Sequence, residues 1–523
     1  MLSPAGRVRR TRLRVGAAAV ILVAWIAALA GLVRRDVMRS DTERMTDLGM
    51  RVSPGNVFYA VEQGGQHIGY ASTTIDTLVD SLVIRDEMIA DVPVGRTVER
   101  TIMRSQILLS RGFALREFAV DVAANGAPAR VSGRNEGDTS IAFIVETGAA
   151  RPDTQRVRVS GPVLLPSLLP IATMLGGTPK VGRSTTFQTF DPGTLASKSV
   201  TMRVLAESLF VVDDSARKDP GTGRWVSAFR DTVRAWRLGA EDAPNIGGWV
   251  DAQGRVVESA GLPGMTLHRQ AYELAFENWR LAARDSARTV ASDIVTASTI
   301  AANVRAAPTS AAVLRARLLA PSLSGFALRG GRQTLVGDVV TVTHENAAAM
   351  TPSYTLPATG AHRTRFRAEL GDEPGIEANA PSMVRQAVKI VGLERDPRVI
   401  AEKLNRWVFD SLQKVPTAGF PDAVAVLQSR RGDCNEHTQL YTALARTLGL
   451  PTRVAAGIVH VGGKFYYHAW PEVFLGDWVA VDPTFGQFPA DVSHIRLMTG
   501  GLRQQGELYR LIGTLHVDVM ESK

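Results

Sequence analysis

The sequence predicts an α+β protein in which an antiparallel, β-rich region precedes a mixed helical and β domain at the C-terminal end. Three observations carry this prediction. Apolar residues alternate with polar ones over short segments through much of residues 56–290, as in half-buried strands. From about residue 376 the apolar spacing becomes that of amphipathic helices. An uncharged, mostly apolar run, Val15–Val33, precedes both regions and predicts a transmembrane helix.

The chain has 523 residues, which is too many for a single hydrophobic core. We therefore expect several domains, with boundaries where the residue pattern changes. The predicted parts are a cytoplasmic basic tail at 1–14, a transmembrane signal anchor at 15–33, a linker at 34–55, a β-rich domain at 56–290, a second β module or an extension of the first at 291–375, and a C-terminal domain at 376–523.

The formal charge of +9 is concentrated at the N-terminus. Residues 1–40 contain eight arginines and a single acidic residue, Asp36, and so supply +7 of that total. The rest of the chain is nearly neutral, so the high isoelectric point does not indicate a basic binding face. We therefore expect no nucleic-acid partner.

The apolar run is long enough to cross a membrane, because 19 helical residues span roughly 28 Å. Five arginines precede it and two follow it directly, which keeps the N-terminus in the cytoplasm and exports the remainder. A cleaved signal peptide is the alternative, since Ala28-Leu29-Ala30 resembles a cleavage site. The length of the run favours the uncleaved anchor. Both interpretations place the bulk of the protein in the periplasm or at the cell surface.

The β-rich region begins with a hairpin pattern, in which Val57–Val61 and His67–Tyr70 flank a Gly64-Gly65 turn. A second hairpin is predicted over Trp249–Val257, and a helix over about Leu267–Thr289. No motif in this region carries chemistry. We interpret it as a scaffold or a binding module.

The only cysteine, Cys434, lies at the predicted start of a helix. Gly432 precedes it, and Leu440, Leu444 and Leu448 recur at helical spacing up to the stop signal at Gly449. A helix N-terminus stabilises a thiolate through unpaired N–H groups and the helix dipole, so we expect a cysteine that is largely ionised near neutral pH. The alternative is a buried structural cysteine.

Two further polar residues lie on the strands that follow this helix. His468 is on a predicted strand, Phe465–Phe474, and Asp482 follows a turn at Gly476–Asp477. Simple antiparallel pairing leaves Asp482 about three residues short of the position opposite His468, so twist, a bulge or a different register must close that gap. If it closes, the carboxylate holds one imidazole nitrogen and leaves the other for Cys434.

The order of these motifs resembles the transglutaminase-like superfamily, which has a papain-like fold. The resemblance is carried by Gly432-x-Cys434, the turn Leu448–Arg453, His468-Ala469-Trp470-x-Glu472-Val473 and Trp478-x-x-x-Asp482-Pro483-Thr484. It implies a nucleophile at Cys434, a base at His468 and an orienting carboxylate at Asp482. It covers about a quarter of the chain.

Other candidate residues receive weaker interpretations. Gln428 has a spacing from Cys434 similar to that of the oxyanion glutamine of papain-like proteases, but most glutamines in such positions are solvated. Glu472 is expected to pair with an arginine such as Arg453. His494 has no evident partner.

We expect neither a cofactor nor a metal, because Cys434, His437 and His468 lack the number and spacing of ligands typical of zinc sites.

The sequence thus predicts a membrane-anchored, extracytoplasmic thiol enzyme that forms an acyl-enzyme from an amide of a protein or peptide. Protease or peptidase activity is favoured over protein crosslinking, since the resemblance fixes only the acyl-enzyme half-reaction. The acceptor, water or a lysine amine, and the oligomeric state are left open. The rival hypothesis is a non-catalytic binding or assembly module that uses this fold as an interaction scaffold.

Overall fold

The structure is a computed structural model that describes residues 48–523 apart from 95–96, 125–126, 138, 148–153, 241–246, 261–263, 283–298, 304–310, 321, 347–348, 359, 416–421, 502–503, 505–507, 509–510 and 513. The predicted anchor, Val15–Val33, lies outside these residues. Within the described part of the chain, no helix combines the length and the apolar character needed to cross a membrane.

Fifteen strands of the first half form one sheet. They are Gly55–Gln63 (β1), Gln66–Thr77 (β2), Ser81–Val94 (β3), Thr97–Ser110 (β4), Leu115–Ala124 (β5), Ala127–Asn135 (β6), Ser140–Thr147 (β7), Thr154–Arg158 (β8), Val163–Leu164 (β9), Ser184–Asp191 (β10), Ala196–Lys218 (β11), Trp225–Ala240 (β12), Gly247–Val250 (β13), Val256–Ala260 (β14) and Met265–Arg269 (β15).

The first and last strands of this sheet, β1 and β15, pair with each other at its middle. From there the sheet continues outward as β2 to β8 on one side and as β14 to β9 on the other. Neighbours are antiparallel except for β9 and β10. The antiparallel sheet expected from the alternating pattern is therefore present.

The two sides of the sheet meet in a common core. The ring of Phe190 on β10 lies 5.5 Å from that of Phe118 on β5 and 5.4 Å from that of Phe143 on β7. A short helix, Leu169–Leu175 (α1), packs into the same cluster of apolar side chains. A sheet of this size curls on itself because strand twist accumulates and brings its distant strands together.

Both hairpins predicted in this region are present, and the first turns at Gly64 and Gly65, which have φ values of 57° and 76°. The helix predicted over Leu267–Thr289 begins later than expected. Its first residues belong to β15, which pairs with β1 and β14. Helical structure starts with the π-helix Glu273–Glu277 and continues in Asn278–Ala282 (α2), and the remainder of the predicted helix lies outside the described residues.

A four-stranded sheet follows. Its strands are Val313–Leu319 (β17), Gln333–Val336 (β18), Val339–Thr343 (β19) and, near the end of the chain, His516–Ser522 (β26). They have the order β18-β19-β17-β26. Strand Ile300–Ala301 (β16) pairs with a strand of the C-terminal domain. Pairings of β16 and β26 thus cross the boundary predicted at residue 375, so the segment before it and the C-terminal domain share sheets.

The C-terminal domain packs helices against a five-stranded sheet. The helices are Ala361–Arg365 (α3), Pro381–Val391 (α4), Pro397–Ser411 (α5), Ala423–Ser429 (α6) and Cys434–Thr447 (α7). Besides β16, the strands of this sheet are Thr452–Val461 (β22), Lys464–Phe474 (β23), Trp478–Ala480 (β24) and His494–Thr499 (β25). The sheet has the order β16-β23-β22-β25, and β24 pairs with β23. A separate two-stranded ribbon joins Gln413–Lys414 (β20) to Arg431–Gly432 (β21).

Candidate active site

Cys434 is the first residue of helix α7, as the leucine spacing predicts. The preceding residue, Asp433, caps the helix by accepting a hydrogen bond from the Asn435 N–H at 2.8 Å, and Glu436 completes a capping box. Gly432 is needed for close packing, because a Cβ there would come within 2.2 Å of the Glu436 Cβ. Gly432, Asp433 and Glu436 therefore determine that the helix begins at Cys434 and that the thiol lies in its first turn.

The inner face of α7 anchors the helix in the domain core. Leu440 and Leu444 are fully buried among side chains of α4 and α5. On the sheet side, the Thr438 hydroxyl donates to the backbone carbonyl of Ala469 on β23 at 3.0 Å. The Ala469 N–H also donates a hydrogen bond to the Cys434 sulfur. The sulfur therefore touches the residue that directly follows His468.

His468 and Asp482 are in direct contact. The imidazole Nε2 lies 2.7 Å from the Asp482 Oδ2, and both side chains are buried. Two aromatic rings lie close to that of His468 and roughly parallel to it, Trp470 at 6.0 Å and Phe485 at 5.1 Å. These contacts fix the plane of the imidazole and direct its Nδ1 away from the carboxylate.

The register of β23 and β24 explains how the predicted gap closes. Phe474 pairs with Trp478 and Glu472 with Ala480, so this register would place residue 484 opposite His468. Asp482 is then the diagonal neighbour of His468, two residues away, and diagonal neighbours on one face lie within reach of long side chains. The chain also leaves the strand after Ala480 in a turn that pairs Asp482 with Gln487. A diagonal contact, not a bulge, brings the two side chains together.

Asp482 accepts hydrogen bonds at both carboxylate oxygens. Its Oδ1 accepts from the N–H groups of Thr484 and Phe485, and its Oδ2 accepts from His468 and from a second imidazole, that of His494, at 2.9 Å. Burial alone raises the pKa of this carboxyl, but the two histidines hold the pKa of Asp482 far below its usual range. Asp482 is therefore ionised.

His494 had no predicted partner, and the structure corrects that expectation. It lies on β25, is fully buried, and bridges Asp482 and Asp491, whose Oδ1 is 3.2 Å from its Nδ1. The Asp-x-x-His spacing of Asp491 and His494 is the only local signal for this pairing, and it is too common to identify a site. The contact with Asp482 depends on β25 and β23 lying on either side of β22.

The protonation state of the thiol differs from the expectation. Burial raises the pKa of Cys434, and the nearby carboxylates of Asp433, Glu436 and Asp482 raise it further, while the Ala469 N–H lowers it. The same acidic residues that cap α7 thus oppose the effect of the helix dipole on the sulfur. The pKa of the Cys434 thiol is therefore raised, whereas the helix N-terminus predicted a lowered pKa and a largely ionised cysteine.

The remaining candidates lie apart from this arrangement or support it. Gln428 is exposed on α6. Glu472 pairs with Arg453 at 2.6 Å, as predicted, and also with Arg496 at 2.9 Å. His437 is buried, and its Nδ1 lies 2.7 Å from the backbone oxygen of Asp433. Burial lowers the pKa of His437 and keeps the ring neutral.

Ligand atoms of His468, Asp482 and His494 lie within 4.8 Å of one another, which is close enough for a metal ion. Two histidines and a carboxylate also form a donor set that zinc accepts. However, both Nε2 atoms already contact one carboxylate oxygen at 2.7 and 2.9 Å, which are hydrogen-bond lengths. Hydrogen bonds among His468, Asp482 and His494 therefore explain why these side chains lie close together, without a metal ion.

Comparison with known proteins identifies the domain that holds this site. Residues 385–483 match the sequence model of the Transglutaminase-like superfamily, so this segment is a transglutaminase-like domain. It includes Cys434, His468 and Asp482. A stretch of 106 residues is 28% identical to an uncharacterized protein of Mycobacterium leprae (strain TN). That match covers 18% of this chain and only 38% of the relative.

Two solved structures resemble parts of the chain at low identity. One is named "Putative Cysteine Protease" from Cytophaga hutchinsonii, with 15% identity, 42% of this chain and 79% of that chain covered, and a TM-score of 0.24. The other is a beta-barrel-like protein of a domain of unknown function from Brucella abortus, with 9% identity, 42% and 96% covered, and a TM-score of 0.26. At these TM-scores neither likeness supports an argument about function.

Proposed function

We propose that the C-terminal domain is a thiol enzyme that takes an acyl group from an amide of a protein or peptide, with Cys434 as nucleophile, His468 as base and Asp482 as orienter. One observation carries the proposal. His468, which forms a buried pair with Asp482, lies on β23, and the next residue of that strand, Ala469, donates a backbone hydrogen bond to the Cys434 sulfur. A nucleophile, a base and an orienting group thus occur together beside a helix N-terminus.

The hydrogen bond between His468 and Asp482 indicates which imidazole nitrogen carries the proton and which one is free to act as the base. Because Nε2 donates to the Asp482 carboxylate, Nδ1 is the unprotonated nitrogen of the neutral ring and is the base. As the sulfur attacks the amide carbonyl carbon, Nδ1 takes the thiol proton. The C–N bond then breaks, the leaving amine takes that proton from Nδ1, and a thioester to Cys434 remains. The Cys434 N–H, free at the first turn of α7, is the donor proposed for the oxyanion.

The protonated thiol determines how this step begins. A resting thiolate–imidazolium pair requires a lowered cysteine pKa, whereas burial and the neighbouring carboxylates raise it. The proton is therefore transferred to His468 as the carbonyl is attacked. Asp482, held ionised by its hydrogen bonds, stabilises the imidazolium that forms in this step.

For the second half-reaction we propose hydrolysis, in which water attacks the thioester and His468 accepts its proton. A lysine amine in place of water would give protein crosslinking. We further propose that Val15–Val33 anchors the chain in the membrane and that the substrate is an extracytoplasmic protein or peptide. The basic residues on the N-terminal side of the apolar run support this orientation.

A non-catalytic binding module is the second candidate function. The raised pKa of Cys434 favours it, because a higher pKa lowers the fraction of reactive thiolate, which a non-catalytic module does not need. The two candidates differ in whether the thiol reacts and in whether His468 controls that reaction.

A thiol-directed acylating or alkylating probe separates them. The full-length chain would be treated with a peptidyl vinyl sulfone, and labelling would be followed by mass spectrometry. We expect labelling of wild type and none of Cys434→Ala or His468→Ala. His460→Ala is the matched control, since His460 is also buried in the sheet but packs on Phe465. A wild-type thiol that stays unlabelled while folded would favour the scaffold.

A further inference from the structure

Beyond the three proposed site residues, a second layer of buried polar side chains surrounds Asp482. His494 contacts the Asp482 Oδ2 through Nε2, and its Nδ1 faces Asp491. The carboxylate of Asp491 in turn accepts hydrogen bonds from the Ser493 N–H at 2.9 Å and from the Gln487 amide at 2.8 Å. A continuous hydrogen-bonded chain therefore runs from His468 to Asp491.

The donor and acceptor chemistry of this chain is determined by Asp482. An ionised carboxylate only accepts hydrogen bonds, so both imidazole Nε2 atoms that contact Oδ2 must carry a proton. Oδ1 is occupied by two backbone N–H groups from the following turn. The carboxylate is thus held by four donors, and His494 is the only one besides His468 that contacts Oδ2 among the residues described.

Stability alone does not account for this arrangement. Two histidines and a carboxylate that are all buried cost more to desolvate than an apolar core of the same volume. This buried polar network is therefore better explained by its effect on the positions of the Asp482 and His468 side chains than by a contribution to the free energy of folding.

We propose that His494 is a positioning residue that fixes the Asp482 carboxylate against His468, and that Asp491 holds His494 for this purpose. The inference rests on the proposed function. His494 and its partner act only through Asp482. Without His494, the Oδ2 atom loses one of two donors and the carboxylate can turn toward its remaining partners. The imidazole of His468 then loses the restraint that holds its Nε2 on the carboxylate and its Nδ1 on the opposite side of the ring.

Single-turnover acylation of the full-length chain by p-nitrophenyl acetate tests the proposal. We expect His494→Ala to lower the acylation rate constant by roughly 10- to 100-fold. This is the range found, in metalloproteins, when a residue that orients a metal-binding histidine is replaced, and we apply it here by analogy. The concentration dependence of the reaction should change little, because His494 is buried away from bulk solvent. His494→Gln, whose amide can still donate to Asp482, should recover part of the rate.

Controls separate positioning from a general loss of packing. His460→Ala removes another buried imidazole of the sheet and is expected to react like wild type. Equal loss of rate in His460→Ala and His494→Ala, or a wild-type rate in His494→Ala, would overturn the proposal. If wild type is not acylated, or if Cys434→Ala is acylated equally, the proposed function fails first.

A second measurement does not depend on catalysis. In a crystal structure of His494→Gln or His494→Ala, we expect the alanine variant to lose the 2.7 Å contact between the His468 Nε2 and the Asp482 Oδ2, and the glutamine variant to keep it. An unchanged contact in both variants would refute the positioning role even if the chain were not an enzyme.

Discussion

The 15-stranded sheet and the surroundings of the proposed active site differ in how they use ionisable side chains. In the sheet, most of the described ion pairs are exposed and join neighbouring strands, as Arg104 does with Glu87 at 2.8 Å. Around the proposed site, several ion pairs are buried, and Arg496 and Glu472 are each only 6% exposed. The site residues His468, Asp482 and His494 continue the buried pattern.

The two kinds of ion pair differ in how much stability is lost when one charged residue is replaced. A solvent-exposed ion pair contributes at most about 1 kcal/mol, because water screens it and the side chains lose entropy. Removal of one partner from a buried pair leaves an uncompensated charge and costs about 3–5 kcal/mol. Such pairs are concentrated around Asp482 and Glu472, so substitution of a single charge there should be costly. Each of the following predictions tests this contrast.

The largest effect is expected for Asp482→Asn. Its amide cannot serve as an acceptor-only group toward two imidazoles, so His468 can adopt the wrong tautomer. By analogy with the corresponding change in a serine protease, acylation of Cys434 should slow by about 10⁴-fold. The measurement is single-turnover acylation of the full-length chain. Asp121→Asn, at an exposed pair of the large sheet, is the matched control and should react normally.

A stability contrast should follow for Glu472 and Glu87. Glu472→Gln leaves Arg496 buried without its carboxylate and should destabilise the C-terminal domain by about 3–5 kcal/mol. Glu87→Gln should change stability by less than about 1 kcal/mol. Urea unfolding followed by tryptophan fluorescence measures both. Similar losses in the two variants would contradict the distinction between buried and exposed pairs.

The pH dependence of stability should reveal Glu377. Burial and the neighbouring Asp422 raise the pKa of Glu377 to about 7. In the unfolded chain it titrates near 4.5, so between about pH 4.5 and 7 the unfolded state has released a proton that the folded state retains. Stability therefore falls with rising pH across this window, by up to about 3 kcal/mol.

Glu377→Gln removes this proton release and should be more stable relative to wild type at pH 8 than at pH 4.5. The free energy of unfolding at the two pH values is the measurement. Glu402→Gln, at an exposed position of α5, is the control and should follow wild type. Parallel pH profiles of Glu377→Gln and wild type would refute the assignment.

The smallest effect is expected from metal removal. Dialysis against EDTA should leave the acylation rate unchanged, because the atoms that could bind a metal already form hydrogen bonds with one another. Loss of acylation that Zn²⁺ restores would show instead that His468, Asp482 and His494 hold an ion.

Local sequence patterns predicted the parts of the fold that depend on neighbouring residues. The leucine spacing and Gly449 located α7, and two adjacent glycines located the first hairpin turn. The pairing of Glu472 with Arg453 was also predictable, because a tight Gly462-Gly463 turn places them opposite each other. In each case the determining contacts lie within about 20 residues.

Features that depend on distant residues were not predictable in this way. His468 on β23 and His494 on β25 lie on either side of β22 and both reach Asp482, and no local pattern specifies this order of strands. The thiol pKa depends first on burial, which is a property of the folded domain, and then on Asp433 and Glu436, which flank Cys434 in the sequence, and on the distant Asp482. The helix N-terminus suggested a lowered pKa for Cys434, whereas burial and the nearby carboxylates raise it.

The pairing of β17 with β26 has a consequence for biosynthesis. The ribosome makes Leu319 long before His516, its partner in the sheet. At a translation rate of about 5–20 residues per second, one edge of β17 stays unpaired for roughly 10–40 s before β26 is made. The transglutaminase-like domain is synthesised during this interval. An unpaired edge is a template for association with other chains, so we expect nascent chains halted before residue 516 to bind a chaperone or one another. Released chains should do neither, and co-sedimentation of halted and released chains would test this.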